Sequence, residues 1–323
     1  MCFLAKVALI TTGGTIASTK TESGRLASGE LSGQELAELC ELPAEIQVEI
    51  FSTFQLPSMH ISFQDLLSLK DLVMQIFEDD TYDGIVVTHG TDSLEETAYF
   101  LDLAISDARP VVVTGSQRAP GEAGSDAYIN IRHAIYTASV KELRDTGTVV
   151  VFNERIFAAR YVKKVHASNI QGFGAFGFGY LGIIDNDQVF LYQKPVEHES
   201  YLIKRAMPSI YIVKCYLEAD GLFIDAAREA GADGIVLEGV GRGQVAPRMM
   251  PAIERALAAE IPIVISTSAE EGNVYTTYDY EGSTYDLYKK GVILGKDYDS
   301  KKARMKLAVL IAAEEEICQT NFR

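Results

Sequence analysis

The chain reads as a two-domain α/β protein: a large, mostly parallel sheet with helices on both faces, then a smaller α/β unit. Three observations predict this. Short apolar runs alternate with helical patterns from the start, the rhythm of βα units. Those runs are apolar throughout, as strands buried on both faces must be. A polar, proline-containing stretch from Gln188 to Pro208 breaks the rhythm before it resumes.

The elements follow in order. Val7-Ala8-Leu9-Ile10 marks a strand over Lys6–Thr11, and further strands are read at Gln47–Phe51, Gly84–Thr88, Pro110–Thr114 and Thr148–Phe152. Leu66, Leu69, Leu72, Val73 and Ile76 recur at helical spacing, so Phe63–Phe77 is a helix; Glu95–Leu103 and Asn130–Ser139 have the same pattern. Ser18–Gly33 is rich in Ser, Thr, Gly and charge with no apolar period, and its place after the first glycine turn suits a lid over a site. Past the break come strand Ile210–Val213, helix Leu222–Ala230, strand Gly234–Leu237, helix Met249–Ala259, strand Pro262–Ser266 and a last helix, Lys301–Glu316. This gives an amino-terminal domain over 1–190, a linker over 191–208 and a carboxy-terminal domain over 209–323. No internal repeat is visible.

At 323 residues the chain can bury two cores. Its 47% hydrophobic and 23% charged content is that of a globular protein, neither disordered nor fibrous. A formal net charge of −16 argues against nucleic acid, whose phosphates need clustered Lys and Arg. No apolar run approaches the ~20 residues that span a bilayer, so no membrane partner is expected. The stretch Met1–Lys6 lacks the features of a signal peptide, and Cys2, Cys40, Cys215 and Cys318 are scattered without metal or redox spacing. A cytoplasmic protein with reduced thiols is the expectation. The histidines show no ligand spacing, so no metal is expected.

Two segments carry the chemistry. Thr12-Gly13-Gly14-Thr15-Ile16-Ala17 follows the first strand, and His89-Gly90-Thr91-Asp92-Ser93-Leu94-Glu95-Glu96 follows the third. A threonine just past the carboxyl end of a parallel strand stands where open α/β sheets place their ligands. There a hydroxyl can attack a carbonyl while N–H groups of a glycine turn hold the oxyanion. The alternatives are weaker. A phosphate cradle lacks both G-x-x-x-x-G-K-[ST] and G-x-G-x-x-G. Asp92 or Ser93 with a Glu three residues on reads as a capping box, which leaves His-Gly-Thr unexplained and can coexist with catalysis. Lys164 is by itself a surface lysine; beside a carboxylate and a threonine it can hold a proton relay. Gly115-Ser116-Gln117-Arg118 forms a third corner on the same sheet edge.

Together these residues resemble the bacterial-type L-asparaginase family. Its TGGTIA signature stands here as Leu9-Ile10-Thr11-Thr12-Gly13-Gly14-Thr15-Ile16-Ala17, and its VVTHGTD signature with an E-E-T-A helix as Val86–Ala98. The likeness covers essentially the full length, including Val111–Arg118, Arg160–Lys164, Gly239–Gly243 and Lys301–Arg304. It implies a flavodoxin-like amino-terminal domain and hydrolysis of L-asparagine to L-aspartate and ammonia, with no cofactor. It implies that Thr12 is the nucleophile, that Thr91 positions or activates water and that Lys164 tunes Thr91. Asp92 would steady Lys164 and grip the substrate ammonium, Ser58 the α-carboxylate, and Ser116 the amide. Sites in the family are completed by a neighbouring subunit, which implies a homo-oligomer, a dimer of dimers, with Gln244 reaching the partner's substrate.

Two positions depart from the family. Many members have a lid tyrosine that activates the first threonine, and Ser18–Gly33 has none. Many have glutamine beside the substrate-binding serine, where Met59 stands here. Tyr278 and Tyr280, in a tyrosine-rich stretch over 275–288 read as a loop, are the candidate replacements; the alternative is an aromatic interface. The competing functions are a glutaminase-asparaginase and an amino-acid-binding regulator without chemistry.

Overall fold

The computed structural model describes residues 5–20, 23, 25–27, 34 and 40–322. Cys2 and most of the stretch read as a lid, 18–33, lie outside them. The chain divides into two compact units, Met1–Ser200 and Tyr201–Arg323.

The first unit holds one eight-stranded sheet. Its strands are β1 (Ala5–Thr11), β2 (Ile46–Ser52), β3 (Gly84–Thr88), β4 (Val111–Thr114), β5 (Thr148–Phe152), β6 (Arg155–Ala158), β7 (Gly182–Asp185) and β8 (Gln188–Leu191). Among the helices of the described residues, α1 (Phe63–Phe77), α2 (Leu94–Ala104) and α3 (Ala127–Ser139) belong to this unit. The spatial order is β8-β7-β6-β5-β4-β3-β1-β2. The five parallel strands run β2-β1-β3-β4-β5, the flavodoxin-like order, with its topological switch between β1 and β3. The other three join antiparallel, β6 against β5, β7 against β6 and β8 against β7.

Burial explains the parallel core. Every residue of β3, β4 and β5 is buried, as the unbroken apolar runs require. Ser62 and Asp65 form a reciprocal capping box that starts α1, whose Leu66, Leu69, Val73, Ile76 and Phe77 face inward. Residues 188–191, the opening of the polar stretch, pair with 182–185 as a strand at the sheet edge. Only alternate side chains of β8 are half-buried, so it carries little apolar signal.

The second unit has a four-stranded parallel sheet in chain order, β9 (Ile210–Lys214), β10 (Gly234–Gly239), β11 (Ile263–Thr267) and β12 (Ile293–Leu294). Around it lie α4 (Leu222–Glu229), α5 (Met250–Ala258), α6 (Thr284–Lys289) and α7 (Ser300–Ala312). Its core joins Ile235, Leu237, Ile263 and Ile265 to Ile224, Met249 and Ile253. Two readings are corrected here. The last helix ends at Ala312 and not at Glu316, because the apolar period stops there and exposed glutamates follow. Residues 284–289 are helical, so Tyr285 and Tyr288 are not on a loop: Ser283 caps that turn by accepting from the Asp286 N–H. Among the described residues no helix is long and apolar enough to cross a membrane.

Candidate active site

Register brings the three corners together. Thr11 is level with Thr88 and Thr88 with Thr114, so β1, β3 and β4 end side by side. The ladder continues one residue beyond each pair: Thr12 N donates to Thr88 O at 3.3 Å and His89 N to Thr114 O at 2.8 Å. The chain then turns at glycines. A Cβ on Gly14 would lie 2.4 Å from Gly90 N, and one on Gly90 would lie 2.9 Å from Ser58 Oγ. One on Gly115 would lie 2.5 Å from His89 O and 3.3 Å from Thr91 Cγ2. Neighbouring atoms, backbone at Gly14 and Gly115 and the Ser58 side chain at Gly90, leave no room for a Cβ at these three points.

Thr12 is fully buried and its Oγ1 donates to Thr88 O at 2.7 Å. Thr91 is nearly buried, and its hydroxyl lies between two partners. Lys164 Nζ donates to Thr91 Oγ1 at 2.8 Å and to Asp92 Oδ1 at 2.6 Å. Thr91 Oγ1 donates in turn to Gln117 Oε1 at 3.3 Å. Lys164 sits on a short ribbon, Lys163–Lys164 against Phe173–Gly174, and its backbone N–H donates to the buried Glu95 carboxylate. An ammonium this close to a threonine oxygen polarises it and favours loss of its proton.

His89 lies beneath this layer. Its Nδ1 meets Gly90 O at 2.8 Å and its Nε2 meets Thr97 Oγ1 at 2.9 Å. A carbonyl only accepts, so Nδ1 carries the hydrogen and Nε2 accepts from the threonine. Burial pushes the imidazole down to about 4, so the ring is neutral in ordinary buffers. The described peptides are all trans, so turning the Gly90 carbonyl to His89 leaves the Thr91 N–H on the opposite side.

Ser58 and Met59 open a short 3-10 turn, Ser58 buried and Met59 68% exposed. The Ser58 carbonyl accepts from Ser93 Oγ at 2.8 Å. Ser116 is buried, with its Oγ donating to Arg118 O at 2.8 Å. Thr12, Ser58, Met59, Thr91, Asp92, Ser116 and Lys164 thus belong to one unit, on or beside one sheet edge. The capping-box reading is corrected: Ser93 makes no side-chain cap at α2. Its hydroxyl goes to Ser58, Asp92 to Lys164 and the Glu95 carboxylate to the Lys164 backbone, all tertiary partners.

Sequence reading missed the residues that hold the third corner. Asp126 accepts from the backbone N–H of Gln117 and Arg118 at 3.0–3.2 Å. Asn130 Nδ2 donates to Gly115 O at 2.9 Å and to Asp126 Oδ2 at 3.0 Å. The only local signal was polar residues one turn apart on the otherwise buried face of α3.

In the second unit, Gln244 Oε1 accepts from Thr284 N at 3.0 Å and from Thr284 Oγ1 at 2.9 Å. Its amide thereby ties the Val240–Gln244 turn to the start of α6. Tyr278 and Tyr280 stack with ring centroids 5.8 Å apart, each about half exposed.

The family description "Asparaginase, N-terminal" matches residues 6–197, and "Glutaminase/Asparaginase C-terminal domain" matches residues 209–321. An L-asparaginase of Bacillus licheniformis is 68% identical over 317 residues, 98% of each chain. A glutaminase-asparaginase of Pseudomonas fluorescens is 28% identical, covering 97% of this chain and 88% of that protein. The crystal structure of a probable cytoplasmic L-asparaginase from Campylobacter jejuni matches with a TM-score of 0.88 at 26% identity, covering 98% and 99% of the two chains. With both units matched and the fold shared end to end, the chain belongs to the asparaginase family.

Proposed function

We propose that this chain hydrolyses the side-chain amide of L-asparagine, releasing L-aspartate and ammonia. The observation that carries the reading is the contact of Lys164 Nζ with both Thr91 Oγ1 and Asp92 Oδ1, beside the strand end where Thr12 stands. An amide is a poor electrophile, so a placed hydroxyl, an oxyanion donor and a proton relay must act together. Thr12 Oγ attacks the amide carbon and ammonia departs, leaving an ester on Thr12. Water activated at Thr91 then cleaves that ester and restores the hydroxyl. The Thr91 N–H is the oxyanion donor that His89 orients. Ser58 takes the α-carboxylate and Asp92 the α-ammonium, while Ser116 faces the amide. The name of the 68% identical relative supports asparagine as the substrate.

Gln244 and a phenol from Tyr278 or Tyr280 reach the site from a second copy of the chain, in a homotetramer that works in the cytoplasm without a cofactor. The 28% identical glutaminase-asparaginase supports a second reading, in which glutamine is also a substrate. The test is ammonia release from L-asparagine and L-glutamine by the wild type and Thr12→Ala. Asparagine is expected to be preferred moderately, because one methylene is worth only ~1–3 kcal/mol in a pocket. Equal efficiencies establish the second reading. A folded Thr12→Ala protein of near wild-type turnover overturns the nucleophile assignment.

A further inference from the structure

We infer that Gln117 is a positioning residue that sets the Thr91–Lys164 pair, and that Gly172 exists to admit its amide. The inference rests on the functional reading of that pair given above. The two ends of the Gln117 amide face different elements: Oε1 lies 3.3 Å from Thr91 Oγ1, and Nε2 lies 3.2 Å from His166 O. A carbonyl cannot donate, so Nε2 must face His166 and Oε1 must face Thr91. An amide oxygen carries no hydrogen and a lysine ammonium accepts none, so the proton order is fixed. Lys164 donates to Thr91, and Thr91 donates to Gln117. One lone pair of the Thr91 oxygen remains for a water or the substrate.

The same amide fixes the ribbon that carries Lys164. That ribbon pairs only two residues against two, which is marginal by itself. It is held at three points. The Lys164 backbone N–H donates to Glu95, its Nζ meets Asp92 and Thr91, and the His166 carbonyl at its turn accepts from Gln117. Gly172, buried just before the returning strand, accepts from the N–H groups of Val165 and His166 at 2.8 and 3.2 Å. A Cβ there would lie 2.1 Å from Gln117 Nε2 and 2.9 Å from Asn169 O. Residue 172 is therefore small because the amide, together with the Asn169 carbonyl, occupies that space. Gln117 is itself held by Asp126, which accepts from its backbone N–H. The result is a clasp: Gln117 spans from the sheet corner to the ribbon and grips the Thr91 hydroxyl between them.

The test uses asparagine turnover by the full chain in four variants: Gln117→Ala, Gly172→Ala, the double variant and Lys164→Met. Gln117→Ala and Gly172→Ala are each expected to lower kcat about 10- to 100-fold with KM within about twofold, since the reacting group is displaced while substrate contacts stay. Denaturant midpoints close to wild type exclude general unfolding as the cause. Gly172→Ala should cost clearly less in the Gln117→Ala background, where the amide is gone and only the 2.9 Å contact with Asn169 O remains. Unchanged kcat in either single variant overturns the clasp, and so does a double variant in which the two losses multiply. Lys164→Met separates the underlying reading. If it retains activity, the Thr91–Lys164 pair is not functional, whereas a dead Lys164→Met with active Gln117→Ala sinks the clasp alone.

Discussion

Replacing Gly14 by alanine tests whether the distance between the two threonine corners governs the chemistry. The added Cβ would lie 2.4 Å from Gly90 N, 2.5 Å from Gly90 Cα and 3.0 Å from the His89 carbonyl carbon. All three are backbone atoms, so no rotamer change relieves the clash. Ordinary contact begins at 3.4 Å, and 3.4 − 2.4 leaves 1.0 Å by which the Thr12 and Thr91 turns must separate. Gly14 also has φ 84° and ψ −177°, a region open essentially to glycine alone, where another residue costs roughly 1–3 kcal/mol. A displacement of 1 Å at reacting groups lowers the rate ~100-fold. Gly14→Ala is therefore expected to stay folded, to lose about 1–3 kcal/mol in urea titration, and to release ammonia from asparagine ~100-fold more slowly. Gly121→Ala, with no atom within 4 Å of the new methyl, is the control and should match wild type in both assays. A folded Gly14→Ala protein with kcat within about twofold of wild type would refute the argument, because corner spacing would then not limit the reaction.

Thr91→Val and Lys164→Met should each lower kcat by about three orders of magnitude, and the double variant should be little worse than either; losses that multiply contradict a joint role. His89, pushed to about 4 in the fold against an ordinary 6.5, binds its proton more readily when unfolded. Its contribution is complete above pH 6.5 and is lost as pH falls toward 4, amounting to about 3 kcal/mol at 1.36 kcal/mol per pH unit. Urea midpoints of wild type and His89→Gln should thus converge between pH 6.5 and 4, and parallel curves would rule the effect out. His198 has the opposite sign: pairing with Asp102 raises its imidazole, so its contribution is present below pH 6.5 and disappears as pH rises through the raised value. His198→Asn should lose stability at pH 5.5 and not at pH 8.5. Tyr278→Phe or Tyr280→Phe should impair turnover with oligomer mass unchanged if a phenol activates Thr12; full activity in both sends that role elsewhere.

The parallel half of the fold was legible because burial on both faces leaves unbroken apolar runs. Val7–Ile10 and Ile85–Val87 are fully buried, and so they read as strands. The antiparallel edge was not legible: β6 is four residues long and β8 alternates exposed and half-buried positions. At the site, the threonines and glycines stood out because a strand end followed by Gly has few other uses. Thr91 and Asp92 were tied to Lys164 only through the family resemblance, and Glu95 was not tied to it at all, since it lies 69 residues away in the chain. Local pattern misled where tertiary contacts took the polar groups. Ser93, Asp92 and Glu95 look like a helix cap, yet each side chain is drawn to another element. Gln117 gives no signal at all by itself, because its significance depends on a glycine 55 positions later that only a close approach explains.

The two threonines differ in what surrounds their hydroxyls, and the difference bears on the reaction order. Thr91 has Lys164 Nζ 2.8 Å from its oxygen, which favours loss of its proton, while its hydrogen points to the Gln117 amide oxygen. Thr12 rests with its hydrogen on the Thr88 carbonyl, which orients the hydroxyl but takes no proton. The nearest imidazole does not serve either. Both ring nitrogens of His89 are engaged, one donating to Gly90 O and the other accepting from Thr97, and the buried ring resists charge. On the proposed mechanism the base for Thr12 is neither the Thr88 carbonyl nor His89, and a phenol from Tyr278 or Tyr280 is the candidate. Hydrolysis of the Thr12 ester, on the same mechanism, draws on Thr91, Lys164 and Asp92, which are in contact here. Losing the base for Thr12 should accordingly slow the first chemical step and abolish any initial burst of ammonia, whereas Thr91→Val or Lys164→Met should slow the second and leave a burst followed by slow turnover.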